Sequence, residues 1–158
     1  MKLAIDERLQ ENFTMNEFLD AQDAVAIGTA QAIRVTKMSY LAQETRKMLG
    51  RIRVTSGYRS TKFNITVGGT KDSYHPEAQA MDFELITDKG IEDWGTWTPE
   101  TLFAAFDYIG WHNAGVYVDK YDHSRILFCH VDVGPKRKDG YYDWKDYSDT
   151  MSHHIVYR

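Results

Sequence analysis

An acid inside an apolar strand pattern constrains this chain more than any other feature. In the stretch SYHPEAQAMDFEL, residues 73–85, Asp82 lies between Met81 and Phe83. A buried carboxylate carries a large desolvation cost unless it is paired or bound to a metal. His75 precedes the acid by seven positions, so the two side chains meet only if a loop folds back onto the strand. The stretch predicts either a metal site or a hydrogen-bonded polar pair in the core.

A second strand pattern, CHVDVG at residues 129–134, offers the partners that a metal site needs. His130 and Asp132 are two positions apart, so their side chains share one face of a strand. Two histidines and a carboxylate are a typical catalytic zinc set, which leaves the fourth coordination position open. The chain has six histidines, however, and composition alone favours surface or core polar groups over a metal site.

Composition and charge limit the function classes. The 158 residues predict one domain, and the formal net charge of −4 argues against a general nucleic-acid binder. The single cysteine, Cys129, excludes an internal disulfide and a cysteine-based zinc site, and its apolar neighbours predict a buried thiol. The N-terminal MKLAIDERLQENF lacks the apolar stretch of a signal peptide, and no window is apolar enough to span a membrane. We expect a protein made in soluble form, without membrane or nucleic-acid partners.

Periodicity and capping signals predict an α+β fold in which a small antiparallel sheet packs with helices. Three helices are expected: from Thr14, in a capping box with Glu17, to Gly28; over residues 36–49; and between Thr98 and Gly110. The expected strands cover residues 51–56, 80–86, 114–118 and 125–134. On the second helix, one face should be buried: Met38, Leu41, Thr45 and Met48.

The single domain is expected to have three parts along the chain. These are an N-terminal helical part at about 12–50, a sheet that carries the site at about 51–134, and an aromatic tail at 135–158. The aromatic residues of the tail either line a cleft for glycan or peptide or pack onto the domain: Tyr141, Tyr142, Trp144 and Tyr147.

Three motifs follow one another along the chain. They are TSGYRSTKFN at 55–64, VGGTKDSYHPEAQAMDF at 67–83 and FCHVDVG at 128–134. In this order they resemble the motifs of the zinc D-alanyl-D-alanine carboxypeptidases. These peptidoglycan hydrolases include bacteriophage endolysins and share their fold with the hedgehog signalling domain. The resemblance begins near NFTMNEF, residues 12–18, and runs to about Trp144.

The resemblance implies roles for six residues. One zinc ion would be bound by His75, Asp82 and His130. Arg59, in the S-G-Y-R motif, would bind a substrate carboxylate or stabilise an oxyanion, and a planar guanidinium suits either task. Tyr58 and Ser73 are the further residues expected to bind substrate.

Two positions depart from the family pattern. Ala78 stands where relatives usually have glycine after the first ligand, so we expect mild strain in that loop. Many relatives carry an acid or histidine two or three positions before the third ligand, whereas Phe128 and Leu127 stand there in this chain and neither accepts a proton. Asp132 is the nearest substitute as general base. It is equally suited to orient a ligand histidine from behind, and the sequence leaves both readings open.

The function expected from these residues is that of a zinc-dependent peptidase that cuts amide bonds in peptidoglycan stem peptides. Such a protein would act on the cell wall after release, or as part of a virion if it is encoded by a phage. The alternative is a wall-binding or virion structural module that keeps the fold and has lost turnover. The missing acid before His130 favours this alternative.

Overall fold

The computed structural model describes seven ranges of the chain: residues 7–20, 27–88, 90–91, 94–119, 121–122, 124–136 and 153–157. The aromatic tail residues named above, at 141–147, lie outside these ranges. Among the described residues, no helix is both long enough and apolar enough to cross a membrane.

The described residues form eight strands, numbered in chain order: β1 (Arg8–Gln10), β2 (Phe13–Thr14), β3 (Ile52–Ser56), β4 (Ala80–Thr87), β5 (Gly90–Ile91), β6 (Asn113–Asp119), β7 (Ile126–Asp132) and β8 (His153–Tyr157). The main sheet has the strand order β3-β4-β7-β6-β8, with β5 added beside β4, and every pairing in it is antiparallel. β1 and β2 form a separate two-stranded sheet. The predicted α+β class with an antiparallel sheet is confirmed.

Three α-helices accompany the sheet: α1 (Thr29–Leu49), α2 (Thr61–Thr66) and α3 (Pro99–Ile109). α3 begins and ends as predicted, because Thr98 caps its first turn, Pro99 occupies the first helical position and Gly110 adopts the left-handed conformation after its last turn. α2 was not predicted. Its six residues begin after Ser60, whose side chain accepts a hydrogen bond from the backbone N–H of Phe63.

The core lies on the face of the sheet that carries the odd-numbered residues of β4 and β7. Phe83 on β4 contacts the Phe106 ring of α3 edge-on, with 6.0 Å between ring centroids. Cys129 on β7 is fully buried, as predicted, and burial raises the pKa of its thiol. Since successive side chains of a strand point to opposite faces, Asp82 and His130 lie on the face away from this core.

The first predicted helix is wrong at Leu19, Asp20 and residues 27–28, which are not helical, while residues 21–26 of that prediction lie outside the described ranges. The capping box of Thr14 and Glu17 is present, but it begins a short 3-10 helix, Met15–Phe18. The backbone is extended at Leu19, which pairs with Tyr58 in a parallel bridge. Pairing with the chain after β3 therefore ends the helix, and this contact between distant residues left no local signal in the sequence.

The second helix is longer than predicted, since α1 begins at Thr29 and not at Thr36. Ala32 and Val35 in the added turns are buried and continue the apolar face. Met48 was expected on that face but is 37% exposed, while the adjacent Leu49 is buried. Thr45 is buried and accepts a hydrogen bond from the Trp111 indole N–H at 2.9 Å, which ties α1 to the start of β6.

Candidate metal centre

Three of the predicted site residues come together on the open face of the sheet. Asp82 and His130 are direct register partners on the antiparallel strands β4 and β7, and His75 comes from the loop before β4. Asp82 Oδ1 lies 2.8 Å from His130 Nδ1 and 3.4 Å from His75 Nε2. One ligand atom of each residue lies within 4.8 Å of the other two. The loop does fold back onto the strand, as the seven-residue spacing required.

Each imidazole has a polar partner on the side that faces away from Asp82: a hydrogen bond for His75 and a longer ion-pair contact for His130. His75 Nδ1 lies 2.6 Å from the carbonyl oxygen of Gly57 and donates to it, so Nε2 keeps its lone pair. His130 Nε2 lies 3.5 Å from Asp132 Oδ2. Ligand histidines in metal proteins have this arrangement, in which a carbonyl or carboxylate holds the second ring nitrogen. Two imidazoles and one carboxylate oxygen fit a zinc ion that keeps one coordination position open.

Electrostatics also favour a cation between these residues. Burial opposes ionisation of Asp82, but the adjacent His75 and His130 outweigh burial and hold the pKa of its carboxyl well below its usual range. Burial likewise lowers the pKa of His130, but the carboxylates of Asp132 and Asp82 raise it to about 9. The metal-free site thus holds a proton on His130 at neutral pH, at the place where a metal ion would supply the positive charge instead.

Asp132 is fully buried and its two oxygens have different surroundings. Oδ1 accepts hydrogen bonds from Asn113 Nδ2 at 2.7 Å and from the backbone N–H of Gly134 at 2.8 Å. Oδ2 has no hydrogen-bond partner among the described residues and lies 3.5 Å from His130 Nε2. Burial opposes ionisation of Asp132, but His130, Asn113 and Gly134 hold the pKa of its carboxyl below the usual value. In this geometry Asp132 is better placed to orient the His130 ring than to transfer a proton to a substrate.

Arg59 lies between two carboxylates and is 12% exposed. Its Nη2 lies 3.3 Å from Asp82 Oδ2 and 2.6 Å from Ser56 Oγ, and its Nε lies 3.4 Å from Asp20 Oδ2. Nη1 takes part in none of these contacts. Arg59 thus reaches the outer oxygen of the metal-ligand candidate Asp82, and its contacts with described residues use Nη2 and Nε.

An open cleft of about 630 Å³ lies on the outer side of β3 and includes Arg59. Its lining includes four apolar residues: Leu19, Val54, Phe63 and Val67. The lining also includes polar and acidic residues: Asn16, Glu17, Asp20, Thr55 and Ser56. Because Arg59 contacts both the cleft and Asp82, the cleft and the metal centre share a residue.

The other predicted substrate-binding residues lie around the same centre. Ser73 is partly buried, and its Oγ accepts a hydrogen bond from the backbone N–H of His75 at 3.3 Å. Tyr58 is buried, and its backbone N–H donates to the Phe18 carbonyl oxygen at 2.7 Å. Both positions serve to hold the loops of the site, and direct contact with substrate stays a prediction.

The two departures from the family pattern have clear structural counterparts. Ala78 is buried with φ of 56°, in the left-handed region that favours glycine. The expected strain is therefore located at this residue. Phe128, two positions before His130, stacks on the Tyr117 ring with 4.0 Å between centroids.

Sequence reasoning missed two residues that shape the site. Gly57 was part of a quoted motif, but its carbonyl contact with His75 was not anticipated. A Cβ on Gly57 would lie 2.2 Å from the Phe18 carbonyl oxygen, so only glycine lets the N-terminal segment approach this closely. Asp20 had no motif and carried no local signal, because its partners are 36 or more residues away.

Comparison with known proteins gives a family match. A family model described as Peptidase M15 matches residues 11–95, a range that includes Arg59, His75 and Asp82. His130 lies outside the matched range. No curated protein and no solved structure matches the chain.

Proposed function

The chain belongs to the peptidase M15 family, and on that premise we propose that it is a zinc-dependent peptidase that hydrolyses amide bonds in peptidoglycan stem peptides. The observation that carries the proposal is the group of His75, Asp82 and His130, whose ligand atoms face one another while both histidines are held from behind. A random cluster of polar groups does not orient the second nitrogen of each imidazole in this way.

The residues around the centre have different roles in the proposed amide hydrolysis. His75, Asp82 and His130 would hold a zinc ion, which would supply a Lewis acid and would lower the pKa of water at the site. Arg59 presents Nη1 toward the carbonyl or carboxylate oxygen of the substrate, and its contacts with Asp20 and Asp82 fix the direction in which Nη1 points. The cleft beside Arg59 receives the peptide chain.

Asp132 enters this proposal as the residue that keeps His130 in the tautomer with a lone pair on Nδ1. The rival role as general base requires Oδ2 to exchange a proton with the reacting water. Full burial behind the His130 ring opposes that role. Peptidoglycan peptides lie outside the cytoplasm, so in this proposal the protein acts after release, or as part of a virion if a phage encodes it.

The experiment is digestion of purified peptidoglycan by the zinc-loaded protein, followed by mass spectrometry of the muropeptides. New free amino groups and shortened stem peptides are expected, and their masses identify the bond that is cut. His75→Ala should lose both bound zinc and hydrolysis. His112→Ala removes an exposed histidine outside the group of three and should keep both. Unaltered muropeptides after digestion by the wild-type protein would contradict the proposed activity.

A second candidate function is a wall-binding or virion structural module without turnover. It is favoured by Leu127 and Phe128, which stand where many relatives carry the proton-transferring residue, and Phe128 is engaged in a ring stack. Such a module sediments with peptidoglycan and binds zinc, but it releases no amino groups. The digestion and a co-sedimentation assay together separate the two functions.

A further inference from the structure

Asp20 lies beside the metal centre although it belongs to a distant part of the chain. Its side chain is 15% exposed. Oδ2 lies 3.4 Å from Arg59 Nε and accepts a hydrogen bond from Ser56 Oγ at 3.1 Å. Oδ1 lies 3.3 Å from the backbone nitrogen of Gly57, which donates to it. The carboxylate is therefore held from both sides by the segment that leads from β3 to α2.

The backbone around Asp20 is fixed to the same segment. Its N–H donates to the Tyr58 carbonyl oxygen at 3.0 Å, and the Tyr58 N–H donates to the Phe18 carbonyl oxygen at 2.7 Å. Phe18 is fully buried, and its carbonyl group packs directly against Gly57. These two backbone hydrogen bonds flank the buried Leu19 and leave the Asp20 carboxylate little freedom to move away from Arg59.

The negative charge of Asp20 affects how strongly Asp82 attracts a metal ion. The Arg59 guanidinium touches the outer oxygen of Asp82, and a cation there weakens the attraction of Asp82 for a metal ion. Asp20 neutralises that cation from its far side. Three carboxylates, those of Asp20, Asp82 and Asp132, lie near one guanidinium, that of Arg59. The group therefore has a net charge of −2, which a divalent cation balances.

We infer that Asp20 is a positioning residue of the metal centre, which holds and neutralises Arg59 so that the inner oxygen of Asp82 remains a full ligand for a divalent cation. This inference rests on the metal site of the proposed function. It does not rest on hydrolysis, because metal affinity is measurable without a substrate.

Zinc titrations in competition with a chromophoric chelator test the inference on three variants. Asp20→Asn keeps an oxygen for the Gly57 N–H and removes only the negative charge, and it should weaken zinc binding by about 10-fold or more. Glu17→Gln is the matched control, since Glu17 lines the same cleft but bonds to Thr14, and glutamine preserves the capping box. Its zinc affinity should stay within about 2-fold of the wild-type value, because no contact of Glu17 reaches Arg59. The double variant Asp20→Asn/Arg59→Gln removes both charges and should bind zinc more tightly than Asp20→Asn.

The absorption spectrum of the Co²⁺-substituted proteins adds a readout of ligand geometry. In Asp20→Asn it should change, because an unrestrained guanidinium draws Asp82 toward itself, and in Glu17→Gln it should match the wild type. Equal zinc affinity for Asp20→Asn and the wild type overturns the inference, as does a double variant that binds zinc no better than Asp20→Asn.

A thermal melt of the chelated proteins accompanies each titration. If Asp20→Asn does not fold, Arg59→Gln alone provides the test: loss of the cation beside Asp82 should tighten zinc binding, and weaker binding overturns the inference. Failure of the proposed function is seen separately, as wild-type protein that binds zinc and leaves peptidoglycan uncut.

Discussion

Asp132 lies behind His130, on the side of the ring away from Asp82. Its Oδ2 is 3.5 Å from Nε2, while Nδ1 on the near side is 2.8 Å from Asp82 Oδ1. The imidazole is thus flanked by two carboxylates, one of which is a metal-ligand candidate. The tautomer with a proton on Nε2 satisfies Asp132 and leaves Nδ1 free to bind a metal.

Asp132→Asn should weaken zinc binding by about 10–100-fold. The asparagine oxygen can still accept from Asn113 and Gly134, but its NH2 group then faces Nε2 and favours the tautomer that protonates Nδ1. Competition with a chelator measures the change in affinity. Unchanged zinc affinity with turnover lost at saturating zinc would contradict this prediction and assign Asp132 the role of proton carrier.

The metal-free protein should lose stability as the pH rises above neutrality. Although burial lowers the pKa of His130, Asp132 and Asp82 raise it to about 9, above the usual 6.5. A raised folded-state pKa contributes stability that is fully present below pH 6.5 and is lost as the pH rises through about 9. Urea unfolding of chelated protein should therefore have a lower midpoint at about pH 9.5 than at about pH 6.5. Asp132→Asn is the control and should show a smaller difference, whereas equal midpoints for the wild type would contradict the prediction.

Gly57→Ala should disturb both the fold and the site. Its Cβ would lie 2.2 Å from the Phe18 carbonyl oxygen, and overpacking of this kind lowers the free energy of unfolding by about 1–3 kcal/mol. Displacement of the Gly57 carbonyl also releases His75 Nδ1, so zinc affinity should fall. Gly28→Ala meets only the end of the Gln31 side chain and should leave zinc affinity unchanged. Chemical denaturation and a zinc titration measure the two effects, and equal zinc affinity for both variants would contradict the role of the Gly57 carbonyl.

Ala78→Gly should change the free energy of unfolding very little. Left-handed backbone costs a non-glycine residue about 1–2 kcal/mol. Glycine removes this cost, which raises the free energy of unfolding. Loss of the buried methyl group lowers it by about 0.8 kcal/mol, and the more flexible unfolded chain lowers it by about 0.4–1 kcal/mol. Ala42→Gly, at a fully buried site in α1, has no strain to relieve and should cost about 2 kcal/mol. Urea unfolding compares the two, and equal losses would show that the Ala78 loop is not strained.

The residues of the candidate metal centre were named from the motif resemblance, and part of their signal is local. Asp82 stands out among Met81 and Phe83, and His130 and Asp132 alternate on one strand, so period-two geometry alone places both on one face. Sequence pattern could not establish that Asp82 and His130 are register partners. That relation depends on how β4 and β7 pair, which is decided by the whole sheet.

Other features depend on distant contacts and left no such signal. The helix expected after Thr14 ends at Phe18 because Leu19 pairs with Tyr58, and no local propensity reports that pairing. α2 has only six residues, too few for a helical period to be recognised. Asp20 is one acid among many in the sequence, and only the folded chain brings it to Arg59.

The register pairing of Asp82 with His130 links metal binding to correct strand alignment. A slip of one residue between β4 and β7 turns one of the two ligands toward the core and leaves the other without its partner. Only molecules with the native alignment then offer three ligands to one ion. With the proposed zinc site, bound metal per chain in a refolded preparation should therefore measure the fraction of correctly aligned molecules, and free metal during refolding should favour that alignment by mass action.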